Sequence, residues 1–429
     1  MYYHFHRSAL ALLACCLVTL LAACSWQPFD TTTGQPSNTG TPVSMPQSAL
    51  TPSVTLPQTQ IGCPTAGTSR AAIMAPIGAG ADPSIVYIFN QGLNPPVAGI
   101  LRRYDIVTGA KTDIVNIPQG VFGAAQLSTD GQWIIFVSQV AGHAAIQMVR
   151  VDGQSLQTLY CDDQSSILQL QMSPDQQTIV FAKSGAAAGV YMFHLAFDDK
   201  ATKIAGGNFS LVTWLDNTHL YALSTAFQTT APPKLALLDI NKPGQTANAL
   251  PQIFAPASAC ASFDSSVDAT RLYYSQCQGI AATGVGPSSI AELPAAGGKP
   301  NTIYNSATQA VTTLRVASTT VLLFLVKNPP PAKPVPNAPP TNGLWRINVD
   351  GTGLTHLVNI GAGQDAVLNE YSQYTWSNVS RDGKMFAIKT IDQNGGQALS
   401  FEAIAGGNAT TFVQFAGVGN VHIVGWTSM

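Results

Sequence analysis

Short apolar runs separated by tight polar turns recur along this chain from Ile85 onward. Trp133-Ile134-Ile135-Phe136-Val137, Thr178-Ile179-Val180-Phe181-Ala182 and Met385-Phe386-Ala387-Ile388 are three such runs. They are β-branched or aromatic, the composition of buried strands. Each follows a turn of one type: Ser128-Thr129-Asp130-Gly131, Ser173-Pro174-Asp175 or Ser380-Arg381-Asp382-Gly383. Asp-Gly and Pro-Asp are hairpin signals, so each turn joins an apolar strand before it to the run after it. A third strand recurs as Ile146-Gln147-Met148-Val149-Arg150-Val151 and Leu344-Trp345-Arg346-Ile347-Asn348-Val349, each closed by Asp-Gly. Short fourth strands follow at Gln157-Thr158-Leu159-Tyr160 and His356-Leu357-Val358.

Counted by their first strands, the four-strand units begin near Val121, Ile167, Phe209, Ala259, Ala310 and Tyr371. The ends supply one more. Residues 85–117 hold three strands without a first one, and Val421-His422-Ile423-Val424-Gly425-Trp426 is a strand without successors. Together they complete a unit that closes the array and removes its free edges. The unit resembles the repeat of TolB-like periplasmic propellers, also called WD-like propeller repeats: an apolar residue, Ser-Pro-Asp-Gly, an apolar strand, then a strand ending in Asp-Gly. The fold expected is all-β, a seven-bladed β-propeller closed by its terminal strands. A six-bladed ring, with the degenerate copy at 310–360 demoted, is the alternative.

Connection lengths separate the two ends of such a ring. Residues 129–131, 152–154, 216–218 and 406–408 are short turns of one end. Residues 90–98, 225–233, 278–287, 328–342 and 361–370 are longer and belong to the other. Variable loops on a rigid scaffold carry binding, which places the expected site on the long-loop end around the central channel. Residues 328–340 are dense in proline and favour a semi-rigid polyproline II arm.

The first residues give an address. A weakly basic stretch, Met1 to Arg7, precedes an apolar run from Ala9 to Leu21 that is too short to span a bilayer as a helix. It suits the apolar region of a secretory signal peptide, residues 1–23. Leu21-Ala22-Ala23-Cys24 resembles the lipobox of bacterial lipoproteins. The resemblance implies cleavage before Cys24, a diacylglyceryl group on its thiol with palmitate as a lipid of the anchor, and anchoring on the extracytoplasmic side of the cell envelope, at the outer face of the plasma membrane or at the outer membrane. Residues 24–60 are rich in Thr, Ser, Pro, Gln and Gly and read as a flexible lipidated linker. Residues 61–429 are the propeller.

Composition narrows the chemistry. Only 10% of residues are charged and the net charge is −2, so a nucleic-acid partner is not expected. Cys15 and Cys16 fall in the signal peptide, which leaves Cys63, Cys161, Cys260 and Cys277 beside Cys24. An even number in an exported domain suggests disulfides. Cys260 and Cys277 lie at nearly equal distances from the turn at 265–270 and would face each other across a hairpin; Cys63 and Cys161 pair by elimination. No Cys-x-x-Cys or close His pair signals a metal, and no cofactor is implied. Glu292, Glu370 and Glu402 are the glutamates of the chain, no carboxylate pair is signalled, and no Gly-x-Ser-x-Gly elbow appears. Residues 104–111 resemble one hairpin of quinoprotein propellers, but the motif occurs once and lacks its tryptophan. Trp214, Trp376 and Trp426 sit where they would pack between blades.

The function expected is a monomeric, membrane-anchored module that binds a protein, peptide or glycan without catalysis. The alternative is a lyase, hydrolase or quinoprotein-like enzyme working in the channel. An enzyme requires convergent charged side chains there; a binding module requires a rim of amides and aromatics.

Overall fold

The computed structural model describes residues 54–55, 83–93, 96–140, 142–162, 167–195, 200–224, 235–246, 262–277, 288–295, 298–328, 342–361, 364–368 and 378–427. They form seven antiparallel sheets, the blades of a β-propeller, and the one helical turn among them is the 3-10 segment Gly185–Ala187.

Blade 1 is built from both ends of the described chain. Its innermost strand is Gly419–Trp426, followed outward by Ser84–Leu93, Pro96–Asp105 and Lys111–Pro118. Val54–Thr55 adds a short parallel strand outside Lys111–Pro118. The innermost strands of blades 2 to 7 are Gly120–Leu127, Ile167–Met172, Phe209–Trp214, Ser262–Ser265, Val311–Val316 and Asp365–Val367. In blades 2 to 7 the strands add outward in sequence order. Blade 4 has three strands among the described residues.

The seven-bladed expectation holds, with two local corrections. Residues 90–98 are not a loop: Ser84–Leu93 and Pro96–Asp105 pair down to Leu93 opposite Pro96. The innermost strand of blade 7 begins at Asp365, before the expected Tyr371, which lies outside the described residues.

Alternating side chains of each blade face its two neighbours, so the core divides into seven clusters, one per interface. The cluster of Tyr87, Trp426, Phe401 and Phe412 joins blade 7 to blade 1 and closes the ring. Trp426 is fully buried there and Trp214 packs between blades 3 and 4, as expected of both; Trp376 lies outside the described residues.

Candidate functional site: the channel belt

Four of the turns between first and second strands share one hydrogen-bond scheme. Ser128, Ser173, Ser266 and Ser380 each donate a hydroxyl to the aspartate two residues on, Asp130, Asp175, Asp268 and Asp382. Each serine amide closes the turn onto the first residue of the next strand, as Ser128 does with the Trp133 carbonyl. The Ser266 and Thr270 hydroxyls hold Asp268 at about 2. The polar groups of this turn end are therefore committed to local structure.

The shared turns fix a register for the innermost strands. Two residues before each turn stand Gln126, Gln171, Thr213, Asp264, Arg315 and Asn378, with Gly425 at the matching place in blade 1. The six side chains are polar and none is more than 2% exposed. They form a belt around the channel at one level.

Two of the belt residues, Gln126 and Asp264, together with polar side chains at other positions, answer a problem of the fold. One edge of each innermost strand pairs with its own blade, while the other faces the channel with amides that need acceptors. Side chains of the preceding blade supply them. Gln126 accepts the Met172 amide at 3.0 Å and Gln169 the Leu211 amide at 2.6 Å. Ser262 accepts Leu314 at 3.0 Å, and Asp264 accepts Val316 at 2.8 Å. Asn90 of blade 1 bonds both the amide and the carbonyl of Phe122, each at 2.9 Å. Gln397 of blade 7 does the same for blade 1, with Val421 N at 3.1 Å and Gly419 O at 3.0 Å. Thr213 and Ser265 share a hydroxyl hydrogen bond at 2.9 Å.

Arg315 departs from this pattern. A guanidinium has donors only and cannot cap an amide. Its Nη1 instead donates to the Leu314 carbonyl at 2.5 Å, and Nε has no hydrogen-bond partner among the described residues. Burial pushes the guanidinium pKa down, and the Asp264 charge opposes that shift without cancelling it. At the turn end, Arg381 of blade 7 donates to the Ser128 carbonyl of blade 2, spanning the intervening blade 1. On the innermost strand of blade 1, burial holds His422 down to about 3, so the imidazole is neutral.

The channel thus carries amides and hydroxyls with one buried Asp and one buried Arg. Repeat by repeat, this column was readable in the sequence. It was missed because each strand, taken alone, reads as an apolar run with one polar interruption.

A hollow of about 380 Å³ lies on blade 4 between His219, Leu237, Asp239, Lys242 and Gln245. Lys242 pairs with Asp239 at 2.9 Å, and His219 Nδ1 lies 3.0 Å from Asp216 Oδ2. No group of three or more His, Cys, Asp or Glu side chains is placed to hold a metal among the described residues.

Of the cysteines singled out by sequence, Cys161 lies on the outer strand of blade 2 and is disulfide-bonded. Cys277 ends the second strand of blade 5. Cys24, Cys63 and Cys260, with the 1–23 and most of the 24–60 segment, lie outside the described residues.

Many solved structures match this chain. An acylaminoacyl peptidase matches with a TM-score of 0.51 at 9% identity, over 80% of this chain and 52% of that one. This chain therefore spans about half the length of that peptidase. TolB from Acinetobacter baumannii matches at 13% identity and a TM-score of 0.43, over 64% of this chain and 63% of that chain. This chain thus spans less than two thirds of that TolB. An oligogalacturonate lyase in complex with manganese matches at 10% identity and a TM-score of 0.34, over 79% and 75%. At these identities the likeness is one of fold. No family model matches the chain, and no curated protein does.

Proposed function

We propose that the chain is an extracytoplasmic propeller, anchored in the envelope through a lipid on Cys24, that binds a protein, peptide or glycan at the long-loop end of its ring. The observation that carries this reading is the asymmetry of the two ends. At the turn end, the Ser-x-Asp scheme repeats and its polar groups bond one another. At the other end, the connections between second and third strands range from short, 94–95 in blade 1 and 141–142 in blade 2, to long, 225–234 in blade 4, 278–287 in blade 5 and 327–342 in blade 6. Asn328 and Asn342 clamp the base of that last connection, the Asn328 amide donating to Asn342 Oδ1 at 2.8 Å and Asn342 Nδ2 to the Asn328 carbonyl at 2.9 Å. A rigid frame with a clamped, proline-dense connection is suited to presenting a binding segment.

Two experiments test the two halves of this reading. Metabolic labelling with an alkyne-tagged palmitate should mark the wild-type chain and not Cys24→Ala; equal labelling contradicts the anchor. Peptide and glycan arrays should show binding that is lost when 329–341 or 278–287 is replaced by a short Gly-Ser link. The same binding should survive Val267→Asp at the turn end, where Val267 is exposed. Loss in the turn-end variant alone would place the site on the other end.

A further inference from the structure

Two Asn-Gly pairs occur in the chain, Asn342-Gly343 and Asn394-Gly395, and each stands where a second strand is joined to a third. In an Asn-Gly pair the side-chain amide is open to attack by the following backbone nitrogen, because glycine has no side chain to obstruct the approach. The two pairs meet opposite surroundings. In blade 6, Asn342 Oδ1 accepts the Asn328 amide at 2.8 Å, and Asn342 Nδ2 donates to the Asn328 carbonyl at 2.9 Å. Gly343 is buried and pairs with Val326 on one side and Asn359 on the other. The amide and the nitrogen are therefore held apart by separate partners.

In blade 7, residues 392–396 form the turn between Met385–Ile391 and Gln397–Ala403. Asp392 holds it: its amide donates to the Gly396 carbonyl at 2.8 Å, and its Oδ1 accepts the amides of Asn394 at 2.7 Å and Gly396 at 2.8 Å. The Asn394 side chain is exposed and has no hydrogen bond among the described residues. Gly395 is exposed too, and no atom lies within 4 Å of where its Cβ would be. One backbone bond, from Gly395 to the Asp392 carbonyl at 3.0 Å, restrains the nitrogen. The residue that follows this turn is Gln397, whose side chain bonds Gly419 O and Val421 N of the strand that closes the ring.

We propose that Asn394 is a site of spontaneous deamidation, and that its conversion loosens the seal between blades 7 and 1. The Gly395 nitrogen gives its proton to solvent base and bonds Asn394 Cγ. The Cγ–Nδ2 bond breaks, and ammonia leaves with a proton taken from water. The product is a five-membered succinimide, which water opens at either of its two carbonyls. One opening gives aspartate; the other gives isoaspartate, whose main chain runs through Cβ and Cγ. Overall one water enters and one ammonia leaves. Both products add a negative charge beside Asp392. Isoaspartate also adds one carbon to the main chain shortly before Gln397. That carbon breaks the fit of a turn closed on itself by Asp392, and Gln397 is displaced from Gly419 and Val421. The site is independent of the lipid anchor and of the binding proposed above.

The test is incubation of the purified intact chain at mildly alkaline pH, followed over time by peptide mapping with mass spectrometry and by labelling with an isoaspartyl methyltransferase. The expected result is conversion at Asn394 about tenfold or more faster than at Asn342, because an exposed turn opens at far less cost than a buried ladder. In urea the two rates should converge, which separates protection by the fold from an effect of flanking sequence. Asn394→Gln keeps the amide, disfavours ring closure and should stop conversion at this turn. Hydrogen exchange at the Val421 amide should be faster in aged wild-type chain than in aged Asn394→Gln. Equal conversion of Asn342 and Asn394 in the folded chain overturns the site, as does an Asn394 that survives in the folded chain while it converts in urea. Unchanged Val421 exchange in the isoaspartyl fraction overturns the effect on the seal.

Discussion

Asp264 in blade 5 accepts the backbone amide of Val316 in blade 6 across a distance of 2.8 Å, with the carboxylate wholly buried. This bond joins two innermost strands that share no ladder, and it represents the device that seals the inner edges of the ring. Replacing Asp264 by Leu removes the acceptor of Val316 and the countercharge of Arg315 together. Such a change leaves a buried amide and a buried cation uncompensated, and should cost about 3–5 kcal/mol of unfolding free energy. Asp264→Asn retains one acceptor and should cost about a third of that. Urea denaturation of the purified chain measures both; equal stability of the two variants would show that the charge and the cap are unimportant.

Backbone geometry makes a second prediction. Gly343, at φ +136°, opens the third strand of blade 6, and a Cβ there would meet the Val358 carbonyl oxygen at 1.8 Å. Gly142, at φ +84°, has nothing within 4 Å of its Cβ position. Alanine at both positions suffers the positive φ, but only at Gly343 must the backbone move as well. Gly343→Ala should destabilise by about 3 kcal/mol or more and Gly142→Ala by about 1 kcal/mol. Thermal unfolding of the pair separates strain from collision.

His422 makes stability pH-dependent. Burial depresses its pKa from 6.5 to about 3, so below pH 6.5 the unfolded chain binds a proton that the folded chain refuses. The unfolded state then holds more protons, and stability falls as pH drops from 6.5 towards 3. The whole loss amounts to roughly 4 kcal/mol if the pKa difference is fully expressed. His422→Leu should flatten the decline in melting temperature between pH 6.5 and pH 4 relative to wild type. Parallel curves for the two proteins would contradict this.

The cysteine pairing can be mapped directly. In blade 5, Ser262 stands opposite Ser275 and Cys277 ends the second strand, while Cys260 lies outside the described residues. Tryptic mapping without reduction should give a peptide pair linked through Cys260 and Cys277, and a second linked through Cys63 and Cys161. Cys161 joined to either Cys260 or Cys277 would contradict both assignments.

Blades were readable in the sequence because their hairpin turns are local. Ser128-Thr129-Asp130 and its copies mark where first strands end, and the apolar run after each marks the second. Closure by Gly419–Trp426 was also visible, since a lone final strand and an incomplete first unit need each other. The hairpin at Leu93–Pro96 was read as a loop because Asn94, Pro95 and Pro96 are turn formers; pairing of the long flanking strands overrides that local signal. The belt is a different case. Gln126 and Asp264 acquire their meaning from the neighbouring blade, a relationship between residues more than 40 positions apart. Arg315 was overlooked for the same reason: in an isolated strand it reads as a solvated residue at a strand end.

Amide hydrogen exchange at the channel edge is the most direct test. Met172, Leu211, Leu314 and Val316 point away from their own ladders, yet side chains of the preceding blade cap each of them. If side-chain capping seals the ring, these amides exchange as slowly as the ladder amides beside them, and in Asp264→Leu the protection of Val316 falls sharply while that of Met172 is kept. Fast exchange of all four in the wild-type chain, at rates typical of open turns, would contradict the account.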